Sequence, residues 1–367
     1  MIPLFKVFIA TCAMDRVNQV MMSGYIGEGN QVQRFEERFG EYVHNPNVVA
    51  VQSGTAALTI ALRLAGVGYG DWVVTTPMTC LATNMPILSV GANPIWADIL
   101  PDGTIDPVDV ERKMQADTKA IVCMDWGGLP CRLNELKAIA DHWGVPLIHD
   151  ACQSIGGGYN GKPTCGGSPA DYVCTSFQAI KHLTTGDGGA IMCLKREDHD
   201  RARLMKWFGL DRTKTESLRC GQDPPMWGYK FQMNDIAAAI GLANLLTICY
   251  IVRKTRANAQ YYNRNLQGLE HFKVIPFDRE RGRSGHWLYT CFVEDVPHFV
   301  KYMADNEVMC NKVHDRNDIK TVFNASKRED LPGVDYFDAH HVCIPVGYWV
   351  DVPDRERIVE LIKAYNG

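Results

Sequence analysis

Between residues 47 and 195 short apolar runs alternate with amphipathic segments, and no other feature restricts the fold as much. Residues 47–51 (NVVAV) read as a strand, and a helical pattern follows with Leu58, Ala61, Leu62 and Ala65 on one face. Strand-like VVTTP begins at Val73, a helix is expected around residues 82–90, and PIWADI begins at Pro94. The helix DPVDVERKMQ leads to AIVCMD, ending at Asp125, and LNELKAIADHWG leads to VPLIHD, ending at Asp150. DYVCTSF and GGAIMCL close the series. Several of these β-like runs are continuously apolar, which suits strands buried on both faces. An α/β fold with a mostly parallel sheet between helices is predicted.

After this region the pattern changes. Residues 213–230 (TKTESLRCGQDPPMWGYK) form a long excursion of the kind found over active sites. A helical stretch of residues 234–266, bent or broken midway, follows. The remainder, with VIPFD, HWLYTCFVE, a helix near residues 297–306 and a last helix over residues 353–365, has α+β character. The expected division is a large domain of residues 1–250 and a smaller C-terminal domain of residues 251–367.

Composition removes several functional classes. With 38 Lys and Arg against 42 Asp and Glu, the 367-residue chain has a net charge of -4, so it has no basic excess for a nucleic-acid backbone. Thirteen cysteines, none spaced as Cys-x-x-Cys, read as free thiols of a reducing compartment, and structural zinc is poorly supported. The N-terminal MIPLFKVFIATCA is short, carries Lys6, and is followed by Asp15 and Arg16, unlike a signal peptide. No run approaches the roughly 18 apolar residues of a membrane helix. A cytoplasmic protein without membrane contact is expected.

Three segments carry candidate chemistry. Ser53-Gly54-Thr55-Ala56 lies where a strand turns into a helix, so its N–H groups form either an anion site suited to phosphate or a plain N-cap. Asp150 ends the strand VPLIHD, at the edge where open α/β sheets gather ligands. Such an acid suits a protonated heterocycle nitrogen, a helix cap or a surface turn. His149 and Asp150 point to opposite sides of a strand, which argues against a shared metal ion. Lys181, beyond the strand ending at Ser176 and Phe177, is either a solvated lysine or an amine that forms a Schiff base with an aldehyde. Gly156, Gly158 and Gly161 fit GxGxxG, but Lys162 and Pro163 follow where a dinucleotide fold needs a helix. In order, a phosphate turn, an acid and a lysine match what pyridoxal 5′-phosphate (PLP) requires.

At this point the chain resembles the DegT/DnrJ/StrS sugar aminotransferases, which share the aspartate aminotransferase fold (PLP fold type I). SGYIGEGNQVQRFEERFGEY, VQSGTAAL, PMTCLATNMPILSVGANPIWADI, MDWGGLPC, IHDACQSIGG, SFQAIKHLTTGDGGA and GYKFQMNDIAAAIGLANL occur in the family's order over nearly the whole length. The resemblance implies a large domain with a seven-stranded, mostly parallel sheet and a smaller α+β domain. It implies Lys181 as the Schiff-base lysine, Asp150 on the pyridine nitrogen and Gln153 near the phenolic oxygen. Gly54, Thr55, Ala56 and Ser176 are then expected at the phosphate. It further implies a homodimer with shared active sites, glutamate as donor and a keto sugar carried on a nucleotide as acceptor. Relatives that act as sugar 3-dehydratases carry histidine at the lysine position, so Lys181, with His182 beside it, favours transamination.

Two positions depart from the family pattern. Cys80 stands where an aromatic residue usually stacks on the cofactor. Where the family often reads G-x-N-x-R-M, this chain has Gly228-Tyr229-Lys230-Phe231-Gln232-Met233, so Lys230 or Asn234 is expected to serve the partner's phosphate. Tyr25, Trp126, Trp227, His182, His286, His314 and Arg316 are candidate substrate contacts, with packing or a solvated turn as the alternative. The rival readings are a same-fold dehydratase, an enzyme of a non-nucleotide cyclic ketone, a PLP-binding protein without turnover, and an unrelated phosphate binder.

Overall fold

The structure, a computed structural model, describes residues 1–214, 221–276, 281–323 and 330–366. Its central sheet is built from β1 (Val48–Val51), β2 (Trp72–Thr75), β3 (Asn93–Trp96), β4 (Thr118–Met124) and β5 (Leu147–Asp150). A small hairpin, β6 (Gly158–Tyr159) and β7 (Lys162–Pro163), precedes the last two central strands, β8 (Tyr172–Ser176) and β9 (Gly189–Cys193). The spatial order is β1-β9-β8-β5-β4-β2-β3, and β9 runs antiparallel to both of its neighbours while the others are parallel.

Strand alternation divides these apolar runs between two cores. Ile121 and Cys123 of β4 face one side, and Ala120 and Val122 face the other. The first side is covered by α2 (Asn30–Val43), α6 (Leu133–Trp143) and α9 (Asp235–Leu245), with α1 (Ala13–Ser23) packed on α9. The second is covered by α3 (Gly54–Leu64), α4 (Leu81–Ser89) and α8 (Arg196–Met205). The short α5 (Pro107–Lys113) and α7 (Thr164–Gly167) complete the connections. The expected α/β architecture, a seven-stranded and mostly parallel sheet between helices, is therefore present, with layers set by the two-residue period of each strand.

The helical stretch after residue 234 breaks by 59° between α9 and α10 (Ile248–Asn265). Helix α10 serves two cores: Ile248 and Val252 pack under the central sheet, whereas Ala259 and Tyr262 belong to the C-terminal cluster. That cluster surrounds a three-stranded antiparallel sheet of β10 (Lys273–Val274), β12 (Tyr289–Phe292) and β13 (His341–Ile344). Helices α11 (Val296–Asp305), α12 (Pro332–His340) and α13 (Val352–Ala364) accompany it, while β11 (Gly282–Arg283) joins the β6–β7 hairpin. The N-terminus crosses over to this region, where Ile2 bridges to Val308 and enters the same core. The GxGxxG segment makes the β6–β7 hairpin, with Gly156 at φ 89°, so turn chemistry prevails there. Among the described residues no single helix is long and apolar enough to cross a membrane.

Candidate active site

A cavity of about 540 Å³ opens where the carboxyl ends of β1, β5 and β8 lie together. Ser53, just after β1, is extended and accepts a hydrogen bond from Ala56 N at 3.1 Å, starting α3. The N–H groups of Gly54 and Thr55, in the first turn, have no intrahelical acceptor and face a ligand-sized space. The turn is tight because Gly189, at the start of antiparallel β9, lies against it. A Cβ on Gly189 would come within 2.6 Å of Gly54 N. A Cβ on Gly54 would meet Cys152 Sγ at 2.9 Å and Ser176 Cβ at 3.0 Å. The cup therefore requires glycine at both positions.

Asp150 is buried at the end of β5, where its Oδ2 accepts from Thr83 Oγ1 at 2.7 Å and its Oδ1 from Cys152 N at 3.0 Å. Both donors are neutral. Among the described residues no Lys, Arg or His lies within ion-pair distance of this carboxylate, which leaves it able to take a cationic group from the cavity. Lys181 reaches the same cavity, with Nζ 3.4 Å from the centroid of the Trp287 ring. Burial lowers its pKa, against the opposing pull of Cys152, Cys80 and Asp150. Gln153 is fixed at both ends: Oε1 accepts from Gly127 N at 2.7 Å, and Nε2 lies 3.1 Å from His314 Nε2. Burial, aided by the charge of Lys181, pushes the His314 pKa down to about 3. The neutral imidazole thus accepts from the Gln153 amide through Nε2, which leaves the proton on Nδ1.

The free N–H groups, the glycine-lined cup, the unpaired buried acid and the lysine fit the phosphate, ring nitrogen and aldehyde of PLP. The sequence profile of the DegT/DnrJ/EryC1/StrS aminotransferase family matches residues 9–363. The chain belongs to this family. Aminotransferases of the family use PLP, and the present site is built for it. The chain is similar to the spore coat polysaccharide biosynthesis protein SpsC of Bacillus subtilis (strain 168), with 32% identity over 289 residues, 77% of this chain and 73% of that protein. Among solved structures, AtS13 from Actinomadura melliaura is 37% identical with a TM-score of 0.94, covering 100% of this chain and 99% of that one. The sugar aminotransferase CalS13 from Micromonospora echinospora is 35% identical with a TM-score of 0.93, covering 99% and 100%.

The cavity collects Gly54, Thr55, Cys80, Asp150, Gln153, Ser176, Lys181 and His314 from the sequence-derived set. Ala56 stands one residue deeper in α3, with its N–H committed to Ser53. Other candidates go elsewhere. Arg316 does not reach the cavity: Asp318 and Asp335 hold its guanidinium, and it is 3% exposed. Trp126 is buried behind His314, edge-on at 5.7 Å, and donates from Nε1 to Thr290 Oγ1. His182 faces away from the cavity and donates from Nδ1 to Ile155 O, and burial lowers its pKa to about 4. Tyr25 is 84% exposed between α1 and α2, and Trp227 is exposed beside Arg63. His286 lines a neighbouring cavity.

Asn234 caps α9 by accepting from Ala237 N at 2.9 Å, so its oxygen is committed within its own chain. Lys230 is exposed, with Nζ 4.4 Å from the Trp207 ring centroid, and does not line the cavity of its own chain. Sequence reasoning missed Thr83, Trp287, Lys312 and the arm residues Leu4 and Phe5, all of which line the site. Thr83 falls three residues after Cys80, one helical turn on, and that spacing was the available signal. Phe5 stacks on Trp287 at 5.4 Å across most of the chain length, which no local pattern reveals.

Proposed function

We propose that the chain is a PLP-dependent aminotransferase that moves an amino group from glutamate to a keto sugar carried on a nucleotide. It works as a homodimer in the cytoplasm, in the biosynthesis of amino sugars. What carries this reading is the convergence of Lys181, Asp150 and the N-terminus of α3 on one cavity. The sugar acceptor is supported by relatives named as a sugar aminotransferase and as a polysaccharide biosynthesis protein.

Bound PLP supplies an aldehyde that takes up the amine and a ring that withdraws electrons. The residues of the chain then have separable tasks. The N–H groups of Gly54 and Thr55, with Ser176 beside them, hold a phosphate dianion at the positive end of α3. Asp150, kept in place by Thr83 and Cys152, holds a protonated ring nitrogen and keeps it protonated. Lys181 has a lowered pKa, so its Nζ would take the proton from the α-carbon of the donor and deliver it to the former aldehyde carbon, which leaves the amino group with the cofactor. Gln153 fixes His314 through its amide. Trp287 and Phe5 close the cavity beside Lys181 and keep water from the reacting amine. Lys230 of the partner subunit, exposed and outside its own cavity, completes the phosphate site as a point charge.

The test is the visible absorption spectrum of the PLP-loaded protein before and after adding glutamate. The band is expected to collapse with glutamate and to return with a nucleotide-linked keto sugar. A protein that stays colourless with added PLP overturns the assignment of cofactor and lysine together. A band that is unchanged by glutamate but lost with another amino acid overturns the donor alone.

A further inference from the structure

A second cavity, of about 670 Å³, lies away from the catalytic one and shares none of its lining residues. Its walls are the end of α2, the Gly-rich turn before β6, the β6–β7 hairpin, one face of α10, and β11. Arg253, Arg256, Arg283, Lys162 and His44 face it, and among the described residues no Asp or Glu does. Four permanent positive charges thus share one groove on a chain with a net charge of -4. Such a grouping without counter-charge opposes folding unless a ligand offsets it.

Among the described residues the cations are unneutralised as well as close together. Arg256 donates to Gly156 O and, from Nε, to Ser284 O at 3.4 Å, so two carbonyls hold its guanidinium and, among the described residues, no carboxylate does. Among the described residues Arg253, Arg256, Arg283 and Lys162 make no ion pair, although most arginines of this chain's other clusters are paired with acids. Burial and the charge of Arg283 push the Arg256 pKa down to about 10, and Tyr42 in the groove wall feels both guanidinium groups. The catalytic cavity differs in this respect. There, among the described residues, the cations besides Lys181 reduce to Lys312, and the acids Asp150 and Asp187 also line it.

We propose that this groove binds a phosphate-bearing small molecule, with its phosphate oxygens held by Arg256, Arg283 and Arg253 and with Lys162 at the rim. A guanidinium fork matches phosphate oxygens in pairs, and the fork of Arg256 is already oriented by its two carbonyl contacts. The groove volume accommodates a nucleotide as well as a free diphosphate.

The experiment is calorimetric titration of the full-length, PLP-loaded protein with inorganic pyrophosphate and, separately, with UDP, at low and at moderate salt. Loading with PLP fills the phosphate cup at α3. Both probes are expected to bind, and binding should weaken as salt screens the exposed arginines. Tighter binding of UDP identifies a nucleotide as the occupant, and equal binding identifies phosphate alone. Arg253 and Arg283 are exposed, so the double variant Arg253→Gln/Arg283→Gln folds, and it should bind about tenfold or more weakly. Lys301→Gln, on α11 and paired with Asp305, should bind like the wild type. Failure of both probes to bind the wild type overturns the proposal, as does equal affinity in the double variant. A double variant whose oligomeric state changes while its anion binding does not would show the groove to be an interface between copies, and would overturn it too.

Discussion

His149 and Asp150 are consecutive, both buried, and belong to opposite sides of the central sheet. On one side Asp150 receives two neutral donors and keeps its charge for the cavity. On the other side His149 Nε2 lies 2.9 Å from Asp125 Oδ1, and its Nδ1 is 3.1 Å from Ser168 Oγ. Asp125 is saturated further by Ser154 Oγ at 2.5 Å and Cys131 N at 2.9 Å. Two buried aspartates a few ångströms of sheet apart thus have contrary economies of charge. One is left open to a cationic ligand, and the other is closed by its own chain. Burial of an acid marks a ligand site only where the partners leave its charge unmatched.

The comparison can be broken most sharply on the cavity side. Lys181→Ala should reduce multiple-turnover transamination by about 10³-fold or more, as expected for loss of the group that moves the proton. Steady-state rates settle this, and full turnover in that variant would remove Lys181 from the mechanism. Next come the two aspartates. Asp150→Asn should lower kcat/KM by roughly 10- to 10³-fold, the worth of one to three pKa units on a ring nitrogen, with little change in unfolding midpoint. Asp125→Asn should do the reverse, costing about 3 kcal/mol in denaturant unfolding while the PLP absorption band persists. If the two phenotypes exchanged, the distinction between open and closed sides would fail.

A pH series sharpens the closed side. Burial alone would lower the His149 pKa, but the Asp125 carboxylate overrides it and raises it to about 9. The folded value lies above the unfolded value of about 6.5, so the pair's contribution is complete below pH 6.5 and is lost as pH rises through 9. Stability should therefore fall over this window by on the order of 1–3 kcal/mol, and His149→Gln should flatten the profile. A wild-type profile that rises between pH 6.5 and 9 would contradict the pairing.

The smallest expected effect compares spare room. Cys80 borders the open cavity, and Cys131, fully buried with Sγ 3.1 Å from Met124 O, belongs to the closed side. Cys80→Phe should be tolerated and slow PLP loss about threefold to tenfold by adding a stacking face. Cys131→Phe should destabilise by about 1–3 kcal/mol through overpacking. Release of PLP followed by absorbance, and unfolding curves, separate the two.

Much of the molecule was legible from residue order. The strand and helix runs between residues 47 and 195 fall where the apolar periods place them, because a chain buried on both sheet faces has little freedom to hide another pattern. Ser53, Asp150 and Lys181 were legible because each sits at a strand end or in the connection just beyond one, the edge where such sheets expose backbone and ligands collect. Arg316 was misleading: a cation in a loop looks available until Asp318 and Asp335 are seen around it. The reversal of β9 was also hidden, since antiparallel and parallel strands share the same two-residue period.

The sequence by itself determined the alternating α/β layers, the order of phosphate turn, acid and lysine, and the family likeness, since each is written in local spacing. Only the tertiary structure decided which charges remain unmatched. Asp150 and Asp125 each end an apolar strand run, and nothing nearby in sequence tells them apart. The difference comes from Thr83 on α4 and from His149 across the sheet. The same holds for Trp287 over Lys181 and for the arginines of α10 and β11 that share a groove. Electrostatic and packing energies depend on distances through space, and folding brings together residues that chain order keeps far apart.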